Sequence, residues 1–188
     1  MNTTGKMTIF GFAGSLREGS YNKALMRAAQ EVSPEGIRLE VFDLEDIPPY
    51  NQDFEYEFPE IVRDFKARIR SADAILIATP EYNYSIPGVL KNAIDWASRP
   101  FGDNAFDDKP VAVMSASVGM LGGARAQYHL RQVFVYLNMH PVNQPEVMMP
   151  FAGEKVDDYG RITDGKTTEL IEQLLERLVD WTLRLKAK

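Results

Sequence analysis

The fold of this chain is decided by residues 8–32, which read TIFGFAGSLREGSYNKALMRAAQEV. The first six residues predict a strand, and residues 23–32 carry apolar side chains at helical spacing. Between them, residues 14–22 are mostly small or polar, with Arg17 as their one cation. A loop of this kind that opens a helix can curl its backbone around an anion, and the helix dipole favours the same charge. Residues 14–22 therefore predict a phosphate site, although the same residue types also form ordinary turns and helix N-caps.

The pattern of a strand followed by a helix recurs along the sequence. Further short apolar runs predict strands at residues 37–42, 74–79, 111–115 and 146–149, and amphipathic helical patterns separate them. Strands buried on both faces that alternate with helices indicate an α/β fold, a doubly wound five-stranded parallel sheet with helices on both faces. Ligands of such sheets lie at the carboxyl ends of strands, so the loops after the first, third and fourth strands are the candidates for a site.

The composition indicates one globular domain and a small partner. The protein has 188 residues, 45% of them hydrophobic and 26% charged, so we expect a single domain over residues 8–188 behind a disordered segment of residues 1–7. The absence of cysteine excludes disulfides, thiolate nucleophiles and cysteine-based metal sites. A net charge of -6 opposes binding to nucleic acid, and no apolar run is long enough to span a bilayer. We therefore expect a cytoplasmic protein with no nucleic-acid partner and no membrane insertion.

Two further loops follow predicted strands. Residues 80–88, PEYNYSIPG, carry tyrosine rings and an amide that suit a flat polar heterocycle, and two prolines restrict their path. Residues 115–125, SASVGMLGGAR, include small residues that let the backbone approach a ligand closely. Each loop alone could equally be a structural connector. Three such loops at strand ends together suit a phosphorylated, planar cofactor that lies along the sheet edge.

At these motifs the sequence resembles the NADPH-dependent FMN reductase family, in particular its chromate and quinone reductase branch within the flavodoxin-like superfamily. The marks of the resemblance are GSLR at residues 14–17 with Ser20 and Asn22, PEYNYSIPGVLKNAIDW at 80–96, and GG at 122–123 with Arg125. It covers nearly the whole sequence and implies a flavodoxin-like fold, an FMN cofactor, and NADPH or NADH as the electron donor. It also implies a homodimer or homotetramer. The implied cofactor contacts are Ser15, Arg17, Ser20, Tyr21 and Asn22 around the phosphate, and Pro80, Glu81, Tyr82, Asn83, Ser85, Ser117 and Gly119 around the ribityl group and ring.

Four other residues are assigned to the substrate pocket or to a subunit interface: Tyr84, Arg125, Tyr128 and Glu146. Arg125 and Tyr128 begin the helix after the third loop, where they could border the pocket or cross a subunit boundary. Glu146 could be a partner for Arg125 across such a boundary, although the sequence does not establish the contact. Apolar helical surface at residues 90–96 and 128–134 is expected to support the same interface.

The remaining polar motifs do not indicate a catalytic or metal centre. His129 and His140 occur at unrelated positions, so we expect structural or interface roles and no metal site. The sequence has no Ser-His-Asp order and no nucleophile elbow, which argues against a hydrolase.

The expected activity is that of an FMN-dependent NAD(P)H:acceptor oxidoreductase with ping-pong kinetics. Its expected small-molecule acceptors are quinones, azo compounds or free flavin, which suit an aromatic pocket, and the family resemblance adds chromate as a side activity. The flavin carries the redox chemistry, so no catalytic side chain is assigned. Two alternatives stay open: a flavodoxin-type electron carrier that does not oxidise NAD(P)H directly, and a flavin-free nucleotide-binding domain.

Overall fold

A central parallel sheet organises the computed structural model, which describes residues 7–187. Its strands are β1 (Met7–Ala13), β2 (Ile37–Phe42), β3 (Ala74–Thr79), β4 (Pro110–Ala116), β5 (His140–Pro141) and β6 (Val147–Met149). The helices are α1 (Tyr21–Glu31), α2 (Glu60–Ser71), α3 (Gly88–Ala97), α4 (Ala124–Tyr136) and α5 (Gly165–Lys186), with short 3-10 helices at Gln52–Phe54 and Ala152–Glu154. The strand order is β2-β1-β3-β4-β5, and β6 also pairs with β4. This 2-1-3-4-5 order is that of flavodoxin-like folds, so the predicted doubly wound parallel sheet is confirmed.

The edge of the sheet beyond β4 differs from the prediction. β5 and β6 pair with successive parts of β4, so the single expected edge strand is divided into two short pieces. β6 corresponds to the predicted strand at 146–149, whereas β5 has two residues, too few for a periodic pattern. At the amino-terminal end, Met7 pairs with Ile37 as the first residue of β1 and is not part of a disordered segment. The rest of that predicted segment, residues 1–6, lies outside the described residues.

Helices cover both faces of the sheet, and the loops of interest lie at the carboxyl ends of its strands. On one face α2, α3 and α4 pack against Phe10, Phe12 and Ile75, and on the other face α1 and α5 pack against Ile9 and Leu76. Every residue of β3 and β4 is buried, which explains their continuous apolar runs. In residues 7–187 no helix is both long enough and apolar enough to cross a bilayer.

Part of the 80–96 motif fastens the fold together. Asn92 donates from Nδ2 to the backbone O of Pro48 at 2.8 Å and accepts at Oδ1 from the backbone N of Tyr50 at 2.7 Å. Trp96 Nε1 donates to the same Pro48 oxygen at 2.7 Å. These bonds draw the segment between β2 and α2 over α3, and the apolar residues of 90–96 are buried inside the protein. The expectation that they offer apolar surface to a second subunit is therefore wrong.

Candidate functional site

Three loops meet at the carboxyl ends of β1, β3 and β4 and enclose a cavity of about 180 Å³. We call them loop 1 (residues 14–20), loop 2 (80–87) and loop 3 (117–123). The sheet places β3 between β1 and β4, and this brings together loops that are far apart in sequence. The cavity is lined by Ser15, Arg17, Ser20, Tyr21, Asn22, Pro80, Glu81, Tyr82, Ala116, Ser117 and Val118.

Most of the predicted cofactor residues line this one cavity. Asn83, Ser85 and Gly119 belong to the same loops but do not contribute to its lining. Ala116 and Val118 line the cavity although the sequence analysis did not name them. Their positions on either side of Ser117 could have indicated them. The three predicted loops therefore form a single site.

Loop 1 offers free hydrogen-bond donors beside the start of α1. Within residues 7–187, the backbone N–H groups of residues 15–19 have no protein acceptor. Ser15 is 4% exposed and lines the cavity, and its hydroxyl has no partner among the same residues. Arg17 forms no ion pair with the described residues, and its guanidinium carbon lies 4.9 Å from the centroid of the Tyr21 ring. These donors, at the positive end of the α1 dipole, fit a phosphate group.

Ser20 and Asn22 make structural contacts at the same place. Ser20 is the N-cap of α1, and its Oγ accepts from the backbone N of Asn22 at 3.2 Å and of Lys23 at 3.4 Å. The Asn22 amide bonds to the backbone of Ala116: Nδ2 donates to its O at 3.1 Å and Oδ1 accepts from its N at 3.0 Å. α1 is thus tied to the end of β4. No local pattern could predict this contact, since the two residues are 94 positions apart.

Loop 2 contains a tight hairpin turn. Tyr82 and Ser85 exchange backbone hydrogen bonds of 2.9 Å, and Asn83 and Tyr84 between them have positive φ angles of 51° and 66°. Positive φ at both central positions defines a type I′ turn, which non-glycine residues adopt at a cost. The guanidinium carbon of Arg125 lies 3.9 Å from the centroid of the Tyr84 ring, and this cation–π contact supports the turn.

Glu81 connects loop 2 with the start of α4. Its Oε2 accepts from the backbone N of Arg125 at 3.0 Å and of Ala126 at 3.4 Å, and its Oε1 accepts from Arg125 Nη1 at 3.0 Å. The N-cap residue of α4 is Gly123, which has no side chain to cap the helix. The Glu81 carboxylate therefore satisfies N–H groups at this helix end from another loop.

Within one subunit Arg125 and Glu146 have other partners, and their expected contact across a subunit boundary stays a prediction. Arg125 pairs with Glu81, and Glu146 Oε1 instead accepts from the Tyr128 hydroxyl at 3.3 Å. Tyr128 is 53% exposed, so it lies at the surface.

The two histidines do not form a metal site. His129 Nδ1 lies 3.0 Å from Ser85 Oγ, and His140 Nε2 lies 2.6 Å from Asp108 Oδ1. No group of three potential metal ligands occurs in the part of the protein that the structure describes. His129 nevertheless contacts loop 2, which the sequence analysis missed. Its place one helical turn after Arg125 is the signal that could have revealed it.

Loop 3 ends in two glycines that no other residue could replace without strain. Gly122 and Gly123 have φ angles of 59° and 90°. A Cβ on Gly123 would lie 2.7 Å from Ser115 Cβ, and one on Gly122 would lie 2.8 Å from the carbonyl carbon of Met148. Ser115 Oγ donates to Gly122 O at 2.6 Å and accepts from Gln127 Nε2 at 2.8 Å. Gln127, which is buried and was not named by the sequence analysis, thus supports loop 3 through Ser115.

Titratable groups with perturbed pKa values lie outside the cavity. Burial lowers the pKa of Lys66, whose Nζ donates to the backbone O of Arg99 and to Asp103 Oδ2. Hydrogen bonds from Tyr50 and Arg99 lower the pKa of Glu55. These contacts fasten α2 and the segment before it to the segment after α3. They stabilise the fold, and none of these groups lines the cavity as an acid or a base.

Known proteins are similar to this chain in sequence and in fold. Residues 7–154 match the family described as NADPH-dependent FMN reductase. An NAD(P)H-dependent FMN reductase of Pseudomonas aeruginosa is 51% identical over 179 residues, which cover 95% of this chain and 96% of that protein. A 2-hydroxy-1,4-benzoquinone reductase of a Burkholderia species is 42% identical over 168 residues, covering 89% and 92%. The solved structure of FerB, a flavoenzyme NAD(P)H:(acceptor) oxidoreductase from Paracoccus denitrificans, has a TM-score of 0.86 and 36% identity, covering 95% of this chain and 98% of that one. The chain belongs to the NADPH-dependent FMN reductase family.

Proposed function

We propose that this protein is an FMN-dependent NAD(P)H:acceptor oxidoreductase that reduces quinones, and that FMN binds between loops 1, 2 and 3. The observation that carries the proposal is the row of N–H groups at residues 15–19, which have no acceptor within residues 7–187 and adjoin the start of α1. FMN joins a flat ring to a phosphate through a polyol linker. A donor-rich loop at one end of an open cavity between strand ends suits both parts of this molecule.

Each loop has its own task in this proposal. Ser15, Arg17 and the N–H groups of loop 1 hold the phosphate through charge-assisted hydrogen bonds. Tyr82 and Ser117, which both line the cavity, border the ribityl group and the ring. The bound flavin supplies the redox chemistry, accepting a hydride from NAD(P)H and returning electrons to the acceptor. The side chains of the site bind and orient, and none is assigned as an acid or a base.

Anaerobic reduction tests the activity. NADPH or NADH added to the purified FMN-loaded protein should bleach the visible absorbance of the flavin, and a quinone should restore it. A flavodoxin-type carrier would bind FMN but would not be bleached by either nucleotide. Screening quinones beside chromate, azo dyes and free flavin would then rank the acceptors that the family resemblance suggests.

Steady-state kinetics test whether donor and acceptor use the cavity in turn. With one shared cavity, initial-rate lines at several quinone concentrations should be parallel in a double-reciprocal plot. Intersecting lines would show that donor and acceptor are bound together, which contradicts a shared cavity.

We also propose that a second copy of the protein packs against α4, giving a homodimer, and that a further contact of this kind gives a homotetramer. The expected apolar surface at residues 128–134 is mostly wrong, because Leu130 and Phe134 are buried in the core and Tyr128 is the one large apolar or aromatic side chain there that is more than half exposed, at 53%. Val135 and Tyr136, just beyond that range, are 82% and 75% exposed. Apolar and aromatic surface of this kind favours association. We place the protein in the cytoplasm, where NAD(P)H is available to it.

A further inference from the structure

The Asn22 side chain bonds to β4 just beyond the last residue of β4 that pairs with β3. β3 ends at Thr79, whose register partner on β4 is Ser115. Ala116, one residue further along β4, has a register partner on β6 but none on β3. The Asn22 amide bonds to both the backbone N and the backbone O of Ala116, at 3.0 Å and 3.1 Å. It thus extends the hydrogen bonding of the sheet by one residue beyond the end of β3.

Asn22 lines the cavity, but both polar atoms of its amide are bonded to Ala116, and only the second N–H of Nδ2 has no partner within residues 7–187. Its backbone N donates to Ser20 Oγ, its Nδ2 donates to Ala116 O and its Oδ1 accepts from Ala116 N. The residue is 2% exposed. Buried amides of this kind are held by their hydrogen bonds, and breaking those bonds leaves the backbone of the partner unsatisfied. Ser15 and Arg17, by contrast, have no such partners within residues 7–187.

We infer that Asn22 is a positioning residue, which aligns loop 3 with loop 1, and that it is not a ligand of the phosphate. Ser117 follows Ala116 directly and lines the same cavity as Ser15 and Arg17 of loop 1. The Asn22 bonds therefore set the separation between the phosphate end of the cavity and the side that borders the ring. This inference rests on the proposed function, since it concerns the binding of FMN by these loops.

Comparing FMN with riboflavin separates the two roles, because riboflavin has the ring and the ribityl group but lacks the phosphate. The variant is Asn22→Leu, which keeps the branched shape of the side chain, carries no charge and removes both bonds to Ala116. We expect the affinities of the flavin-free protein for FMN and for riboflavin, measured by fluorescence quenching, to fall by a similar factor of about ten. The matched control is Arg17→Ala. It should weaken the binding of FMN by about 10- to 100-fold and the binding of riboflavin by less than about twofold.

Two results would overturn the inference. A selective loss of FMN affinity in Asn22→Leu, like that of the control, would make Asn22 a phosphate ligand. Unchanged affinities for both flavins would make the amide a support of the fold alone. If Asn22→Leu does not fold by circular dichroism, Asn22→Ala replaces it with the same expectations.

Hydrogen exchange separates this inference from the proposed function. In the flavin-free Asn22 variant, amide hydrogens of residues 116–123 should exchange faster than in the wild type, because Ala116 N has lost its acceptor. Unchanged exchange would refute the alignment of loop 3 by Asn22. A wild-type protein that binds neither flavin would overturn the proposed function instead, and the exchange measurement would still decide whether Asn22 holds loop 3.

Discussion

Replacing Glu81 with alanine should loosen the start of α4 and detach loop 2 from it. The carboxylate accepts two backbone N–H groups, those of Arg125 and Ala126, and forms an ion pair with the Arg125 guanidinium. The Glu81 side chain is 11% exposed, and the helix has no cap of its own because its N-cap residue is Gly123. The variant thus leaves N–H groups of α4 without an acceptor at the point where the helix meets the cavity.

The expected loss of stability follows from these contacts. Removing a helix cap costs about 0.5–2 kcal/mol, and an ion pair with an exposed arginine adds about 0–1 kcal/mol. Arg125 is 41% exposed, so the capping bonds contribute most of the effect. We expect Glu81→Ala to lower the free energy of unfolding by about 2 kcal/mol, or the melting temperature by roughly 4–8 °C for a protein of this length.

Urea unfolding of the flavin-free protein at fixed protein concentration is the assay, because bound flavin would add its own stabilisation. The matched control is Asp95→Ala, which removes a carboxylate that pairs with Lys91 at 2.7 Å but caps no helix. This control should lose less than about 0.5 kcal/mol. If the two variants lose equal stability, the carboxylate of Glu81 does not cap α4 and the reasoning fails.

Three other changes have definite expected outcomes. Gly123→Ala forces a Cβ to 2.7 Å from Ser115 Cβ at a φ of 90°, so it should cost about 2–4 kcal/mol in urea unfolding; wild-type stability would contradict the contact. Burial raises the pKa of Asp73, but hydrogen bonds from Lys186 and a backbone N–H outweigh it, and the net pKa lies below the ordinary 3.8. The stability that Asp73 contributes is therefore present above its unfolded pKa and lost as the pH falls through the folded one, so Asp73→Asn should flatten the pH profile of unfolding below about pH 4; a profile parallel to the wild type would refute this. Tyr128→Ala should change the oligomeric state or the acceptor preference more than FMN affinity, measured by light scattering and a quinone screen, and a fully active 21.3 kDa wild-type monomer would refute the shared interface.

Local patterns in the sequence were enough to predict the long strands, the helices and the donor-rich loop. Apolar runs and helical periodicity identified the long strands and the helices, because burial on two faces or on one stripe leaves a signature within a few residues. The small and polar composition of residues 14–22 predicted the donor-rich loop, and residues of all three loops line one cavity. Such features depend on neighbours in the sequence, so a single sequence is enough to predict them.

The tertiary structure alone decided what the individual side chains do. Asn22 bonds to Ala116, Glu81 caps α4, and Asn92 holds the segment that covers α3. Each contact joins residues at least 42 positions apart and exists only because the tertiary fold brings their segments together. An asparagine or a glutamate in a loop has the same local pattern whether it binds a ligand or a backbone group. Only the position of its partner in space separates the two roles, and no local periodicity encodes that position.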